Sequence, residues 1–173
     1  GREVADLITR EGHAGLSIGF RTIRAAPDGS GRILQEVALE EVSLPESRLT
    51  DEMRARLAET VGEDFVRDDH ATRVSHAAGR SLPDLIRLRT GRLSSAPDAV
   101  VYPAAGAEVD ALLAVCAEES VAVVPVGGGT SVVGGIDAVR DGFSAVVSIS
   151  MARLDQILDI DEESLTATVQ AGV

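Results

Sequence analysis

Residues 121 to 135 read VAVVPVGGGTSVVGG, and no other stretch limits the fold of this chain as strongly. The Val-rich opening predicts a short strand, and Pro125 and three consecutive glycines end it. A loop without β-carbons lets successive backbone N–H groups converge on an anion and lets a flat ligand approach the main chain. The pattern therefore predicts a phosphate- or dinucleotide-binding turn at the end of a strand.

Spacing separates the phosphate motifs. A Walker A loop requires lysine after its last glycine; Gly129 and Gly134 have the right separation, but Gly135 stands at the lysine position. All 16 basic residues of the 173 are arginine, which also removes a Schiff-base lysine and a lysine general base from this chain. A Rossmann fingerprint counted from Gly127 puts Val132 at the third glycine, and counted from Gly129 it puts Ser131 at the second. Gly134, Gly135 and Gly142 also interrupt the segment where a Rossmann helix would run. What is left is a glycine loop followed by irregular chain and another strand.

Charge sharpens this. Residues 1–95 hold 14 Arg and 16 acids, whereas residues 96–173 hold only Arg140 and Arg153 against 12 acids. So acidic a half is unsuited to nucleic acid, whose binding depends on neutralising phosphates, so a phosphate ligand here relies on backbone N–H groups. No apolar run reaches the length of a membrane span and no signal peptide is evident, which predicts a cytoplasmic protein with a small-molecule substrate. The start at Gly1 and the end at Val173 within an alternating run are read as those of a fragment. With Cys116 alone, neither a disulfide nor a cysteine zinc cluster forms within the chain.

The first half predicts a hairpin, Leu16–Ile23 and Ile33–Val42 around a turn at Pro27 to Gly31, then a helix opened by Thr50 and stopped at Gly62. Ser81 and Asp84 have capping-box spacing for a second helix that stops at Gly91. Ser94 to Pro97 marks the expected boundary between an N-terminal α+β region, 1–95, and a second region, 96–173. There, Ala99–Tyr102, a helix over Glu108–Ser120 and Ala122–Val126 predict a βαβ unit with its two parallel strands side by side. The glycine loop falls at the carboxyl end of the second strand, where open α/β sheets bind ligands. Ala145–Ser150 predicts a further strand, and Ile157–Ile160, a turn at residues 161–164 and the alternation of Leu165, Ala167 and Val169 predict a hairpin.

Pro125, Val126, Gly127, Gly128, Gly129, Thr130, Ser131 and Val132, flanked by the strand Pro97–Pro103 and its helix, resemble the FAD-binding module of the vanillyl-alcohol-oxidase, or PCMH-type, flavoprotein superfamily. Within it, His76 to Leu85, Arg89 to Gly91, Leu154 to Leu158 and Leu165 to Val173 are similar to the alkyl-dihydroxyacetonephosphate synthase-like branch. The resemblance covers roughly residues 70–173. It implies an α+β fold, a parallel βαβ subdomain with the start of a second β subdomain, and FAD whose pyrophosphate is wrapped by residues 125–132. Thr130 stands where some superfamily members carry a histidine that bonds FAD covalently, so the resemblance implies non-covalent FAD. It further implies an FAD-dependent oxidoreductase or a synthase exchanging an acyl chain for a fatty alcohol, a possible homodimer, and catalytic residues beyond Val173. The alternatives are a simple FAD-dependent oxidase or dehydrogenase of a hydroxy acid or alcohol, or a non-catalytic nucleotide-binding module.

Other chemistry-bearing residues read more plainly. Cys116 lies on the apolar face of its helix and is expected in the core. His70 and His76 lack metal-ligand spacing, and no metal site is expected. Arg73, Arg80, Arg87, Arg89 and Arg92 form either an anion-guiding patch or ion pairs with Asp68, Asp69 and Asp84. Asp161, Glu162 and Glu163 read as a solvated turn.

Overall fold

The six residues AVVSIS at 145–150 are all buried, and that decides the order of the central sheet. The computed structural model describes residues 21–27, 32–38 and 42–173. Its elements are β1 (Arg21–Pro27), β2 (Arg32–Ala38), α1 (Asp51–Val61), β3 (Val66–Arg67), α2 (His70–Ser75), α3 (Leu82–Arg89), β4 (Ala99–Val101), α4 (Gly106–Glu118), β5 (Val121–Val126), β6 (Ala145–Ser150), β7 (Ile157–Asp161) and β8 (Thr166–Val169). The four-stranded sheet runs β3-β4-β6-β5, with β3 antiparallel to β4 and the other neighbours parallel.

The βαβ unit thus forms, but β4 and β5 are not neighbours: β6 inserts between them. A strand buried on both faces belongs at the centre, whereas β5 carries Pro125, which has no N–H to give a second neighbour and so suits an edge. Alternate residues Ala99, Val101, Ala145, Val147 and Ile149 face Leu57 and Val61 of α1 and Leu112 and Cys116 of α4. Cys116 is 1% exposed, as expected of a core thiol, and burial pushes its pKa up to about 11.

Local signals place the helices. The Thr50 hydroxyl accepts the Met53 N–H at 3.2 Å, and α1 ends at Gly62. The Ser81–Asp84 capping box forms, with Pro83 in the first turn where a missing N–H costs nothing. A short α2, capped by Asp69, and the edge strand β3 are additions that periodicity did not announce.

Packing crosses the change in charge at 95/96. Residues α1 and β3 share the core of the sheet with β4, β6 and α4, and a second cluster of Val42, Val74, Ala77, Ala78, Leu88 and Leu93 includes Ala96. Buried Arg73 donates to the Pro97 carbonyl at 2.8 Å and the Pro45 carbonyl at 2.7 Å. The hairpin β1–β2 is antiparallel as expected, with Pro27, expected in the turn, closing β1 opposite Arg32; the rest of the expected turn, residues 28–31, and the positions before 21 and at 39–41 lie outside the described residues. The hairpin β7–β8 also forms, with every strand residue exposed.

Candidate functional site

The glycine loop leaves the carboxyl end of edge strand β5, and no helix follows it: residues 127–144 are irregular up to β6. Pro125 is exposed and Val126 buried; Gly127, Gly128, Thr130 and Val132 are exposed, and Gly129 and Ser131 half-buried. Gly129 has φ +66°, a conformation that side chains disfavour, whereas Gly128 has no positive φ. A β-carbon at Gly128 would meet only the Thr130 methyl at 3.9 Å, and one at Gly129 would meet nothing within 4 Å. These glycines are not needed to fit the protein around them; they keep space open above the main chain.

The rest of the loop is held tightly. The Gly135 N–H donates to the Ser131 hydroxyl at 3.0 Å, and the Arg80 N–H donates to the Ser131 carbonyl at 2.7 Å. A β-carbon at Gly79 would lie 2.2 Å from that same carbonyl oxygen, so only glycine allows the approach. Further along, Arg87 bonds buried Asp84 and reaches Asp137 at 3.5 Å. Burial pushes the Asp84 carboxyl up, but the Ser81 hydroxyl and Arg87 outweigh it and hold its pKa below the usual carboxylate range. At the loop's end, Nη2 of Arg140 donates to both carboxylate oxygens of Asp98, at 2.8 and 3.1 Å. Asp98 is fully buried, and it also accepts the N–H groups of Arg48 (2.9 Å) and Val146 (2.7 Å). The chain end returns to the same place: the Ala171 carbonyl lies 3.5 Å from a β-carbon built at Gly127, and a β-carbon at Gly172 would lie 1.9 Å from the Met151 carbonyl.

A cavity of about 200 Å³ opens between the two segments, with Gly127, Gly128 and Gly129 on one wall and His76, Gly79 and Arg80 on the other. The His76 ring nitrogen Nδ1 lies 3.0 Å from the Thr72 carbonyl, to which it donates, and burial pushes its pKa down. His70 lies apart, with Nε2 2.8 Å from the Val42 carbonyl. Among the described residues no group of three His, Cys, Asp or Glu side chains gathers as metal ligands.

Sequence reasoning named residues 125–132 and missed the opposite wall. Gly79 and Arg80 were legible as part of a family signature, but nothing in a linear pattern says that position 80 touches position 131. Two of the arginines are committed to the protein: Arg73 is buried on carbonyls and Arg87 is paired with acids.

Residues 97–173 match the family described as FAD binding domain, and that segment has a mixed α/β architecture in the structure. The chain is 38% identical over 110 residues to an alkyldihydroxyacetonephosphate synthase of Dictyostelium discoideum, covering 64% of this chain and 18% of the relative. It is 33% identical over 125 residues to glycolate oxidase subunit GlcD of Bacillus subtilis (strain 168), covering 72% of this chain and 24% of that protein. A solved alkyldihydroxyacetonephosphate synthase superposes with TM-score 0.72 at 33% identity, over 79% of this chain and 26% of that one. A p-cresol methylhydroxylase shares the fold at TM-score 0.52 and 18% identity, over 71% and 22%. The chain spans about a fifth to a quarter of the length of these proteins. No helix among the described residues is long and apolar enough to cross a membrane.

Proposed function

We propose that residues 125–132 hold the pyrophosphate of FAD without a covalent bond, in the full-length parent of this chain. The observation that carries this reading is the open space over Gly128 and Gly129 on a loop whose following residues are fixed. The glycines and their neighbours supply N–H donors, and the hydroxyls of Thr130 and Ser131 add donors to phosphate oxygens; that of Ser131 accepts from Gly135 and keeps its own hydrogen to give. Residues 96–173 form the incomplete FAD-binding part, and residues 1–95 an N-terminal region that builds the facing wall.

The parent is then an FAD enzyme acting on a small molecule. The similarity to alkyldihydroxyacetonephosphate synthases favours exchange of an acyl chain for a fatty alcohol, and the similarity to a glycolate oxidase subunit supports a second reading, oxidation of a hydroxy acid. In either case a bound flavin supplies the redox-active centre, and this chain's residues bind and orient it. Full-length protein purified with flavin absorbance that is released only on denaturation supports the reading. Colourless protein that takes up no added FAD overturns it.

A further inference from the structure

We propose that His76 is a proton-linked ligand of the phosphate-bearing group in the glycine-loop cavity: Nε2 takes up a proton from solvent as that group binds and donates it to a phosphate oxygen. This rests on the reading that the loop holds the FAD pyrophosphate.

The surroundings of His76 fix its tautomer. Nδ1 lies 3.0 Å from the Thr72 carbonyl, which can only accept, so Nδ1 carries the hydrogen. The Ser75 hydroxyl, 3.0 Å from the same nitrogen, gives its own hydrogen to that carbonyl at 2.8 Å. The Nδ1 edge is thus turned back onto α2, and Nε2 is an acceptor on the outer edge of the ring. The Tyr102 ring meets the imidazole edge to face, with centroids 6.0 Å apart, and limits its rotation. His76 belongs to the cavity wall that faces Gly127, Gly128 and Gly129. Without a proton, Nε2 has nothing to give a phosphate oxygen held there; with one, it is a charge-assisted donor.

The site favours that proton once an anion is present. His76 follows the last residue of α2, where helix carbonyls stabilise a cation, and the bond to the Thr72 carbonyl pushes the His76 pKa up. Burial pushes it down more strongly, and a phosphate oxygen on Nε2 acts against burial. The charged and titratable groups around the ring act in both directions. Arg80 on the same wall and Arg73 on α2, the latter held by the Pro45 and Pro97 carbonyls, oppose the proton. Asp84, paired with Arg87 behind Gly79, and Asp69 at the far end of α2 favour it. Burial pushes the Tyr102 pKa up, so that ring stays neutral.

The test measures FAD and riboflavin affinity of the full-length apoprotein by flavin fluorescence between about pH 6 and pH 8, for wild type, His76→Asn, His76→Gln and Gly128→Val. Asn keeps an N–H near the place of Nδ1 and has nothing at Nε2, whereas Gln keeps a donor near Nε2 that does not titrate. The pyrophosphate diester holds both its charges over this range, so a change in FAD affinity reports the protein. Wild type is expected to bind FAD about tenfold more tightly at the acid end, and riboflavin, which has no phosphate, equally at both ends. Both His76 variants are expected to lose that slope. A wild-type FAD affinity that is flat or falls toward acid overturns the role of His76, and so does an FAD slope that survives in both variants; FAD loss in Gly128→Val then leaves the loop reading intact. An equal rise for riboflavin and FAD also overturns it, because the proton then acts on the fold. Wild type that binds no FAD at any pH overturns both proposals.

Discussion

The open pair Gly128–Gly129 of the glycine loop and the stretch that follows it are opposites. Residues 128 and 129 face open space, while residues 131–140 are held at three points: Ser131 against Gly79 and Arg80, Asp137 against Arg87, and Arg140 against Asp98. The contrast says what each glycine is for. Gly79 and Gly172 are small because protein carbonyls occupy the space, whereas Gly128 and Gly129 are small although no protein atom requires it. A loop whose donors are exposed and whose exit is clamped is pre-organised for an anion, since the ordering cost falls at folding and not at binding.

The strongest attack on this contrast is at the clamp farthest from the open glycines. Asp98→Ala strands Arg140 and frees two backbone N–H groups in a buried place; it is expected to destabilise the protein by about 3–5 kcal/mol. Denaturant unfolding of the full-length protein measures this, and a loss under 1 kcal/mol, of surface-pair size, contradicts the buried clamp. Gly79→Ala comes next, at about 1–3 kcal/mol, because its β-carbon has to push the Ser131 carbonyl away. Flavin affinity should fall with stability in this variant, and a variant as stable as wild type removes the close approach.

Acid gives a smaller, graded effect. The His76 pKa is depressed by burial, so the folded state resists protonation and the unfolded chain binds the extra proton first. Stability from this group is complete above the unfolded value of about 6.5 and is lost as pH falls through the lower folded value. Asp84 is also depressed, and its contribution is lost in a second, more acidic window below about pH 4. His76→Gln should flatten the first window of a stability-against-pH curve and leave the second; an unchanged first window assigns that slope to another group. The smallest effect is at the core: Cys116, buried with a pKa of about 11, should not react with a thiol reagent at pH 8 until the protein unfolds. Rapid labelling of the native protein would place Cys116 outside the sheet core.

How much of this was legible depended on distance along the chain. Caps at Thr50 and Ser81, the helix carrying Cys116, the strand 145–150 and the hairpin after Ile157 all follow from neighbours a few residues apart. The position of β6 between β4 and β5 did not follow, because adjacency in a sheet is set by which strand is buried on both faces, not by chain order. Nothing in the sequence marked Asp98: its partner Arg140 is 42 positions away, and the one signal was that Arg140 is one of only two arginines in an acidic segment. The glycine loop itself was plain, but its positive φ belongs to Gly129 rather than Gly128, so a side chain at 128 acts through the space it fills.

That distinction gives the most direct test of the claim that this loop binds FAD. Gly128→Val in the full-length protein puts a branched side chain into a volume that contains no protein atoms closer than the Thr130 methyl to its β-carbon. Flavin content after purification and thermal unfolding of the flavin-free form are to be measured together. The account predicts that flavin is lost while the flavin-free variant unfolds within a few degrees of wild-type apoprotein. Full flavin occupancy in Gly128→Val would contradict it and remove the loop from the cofactor site.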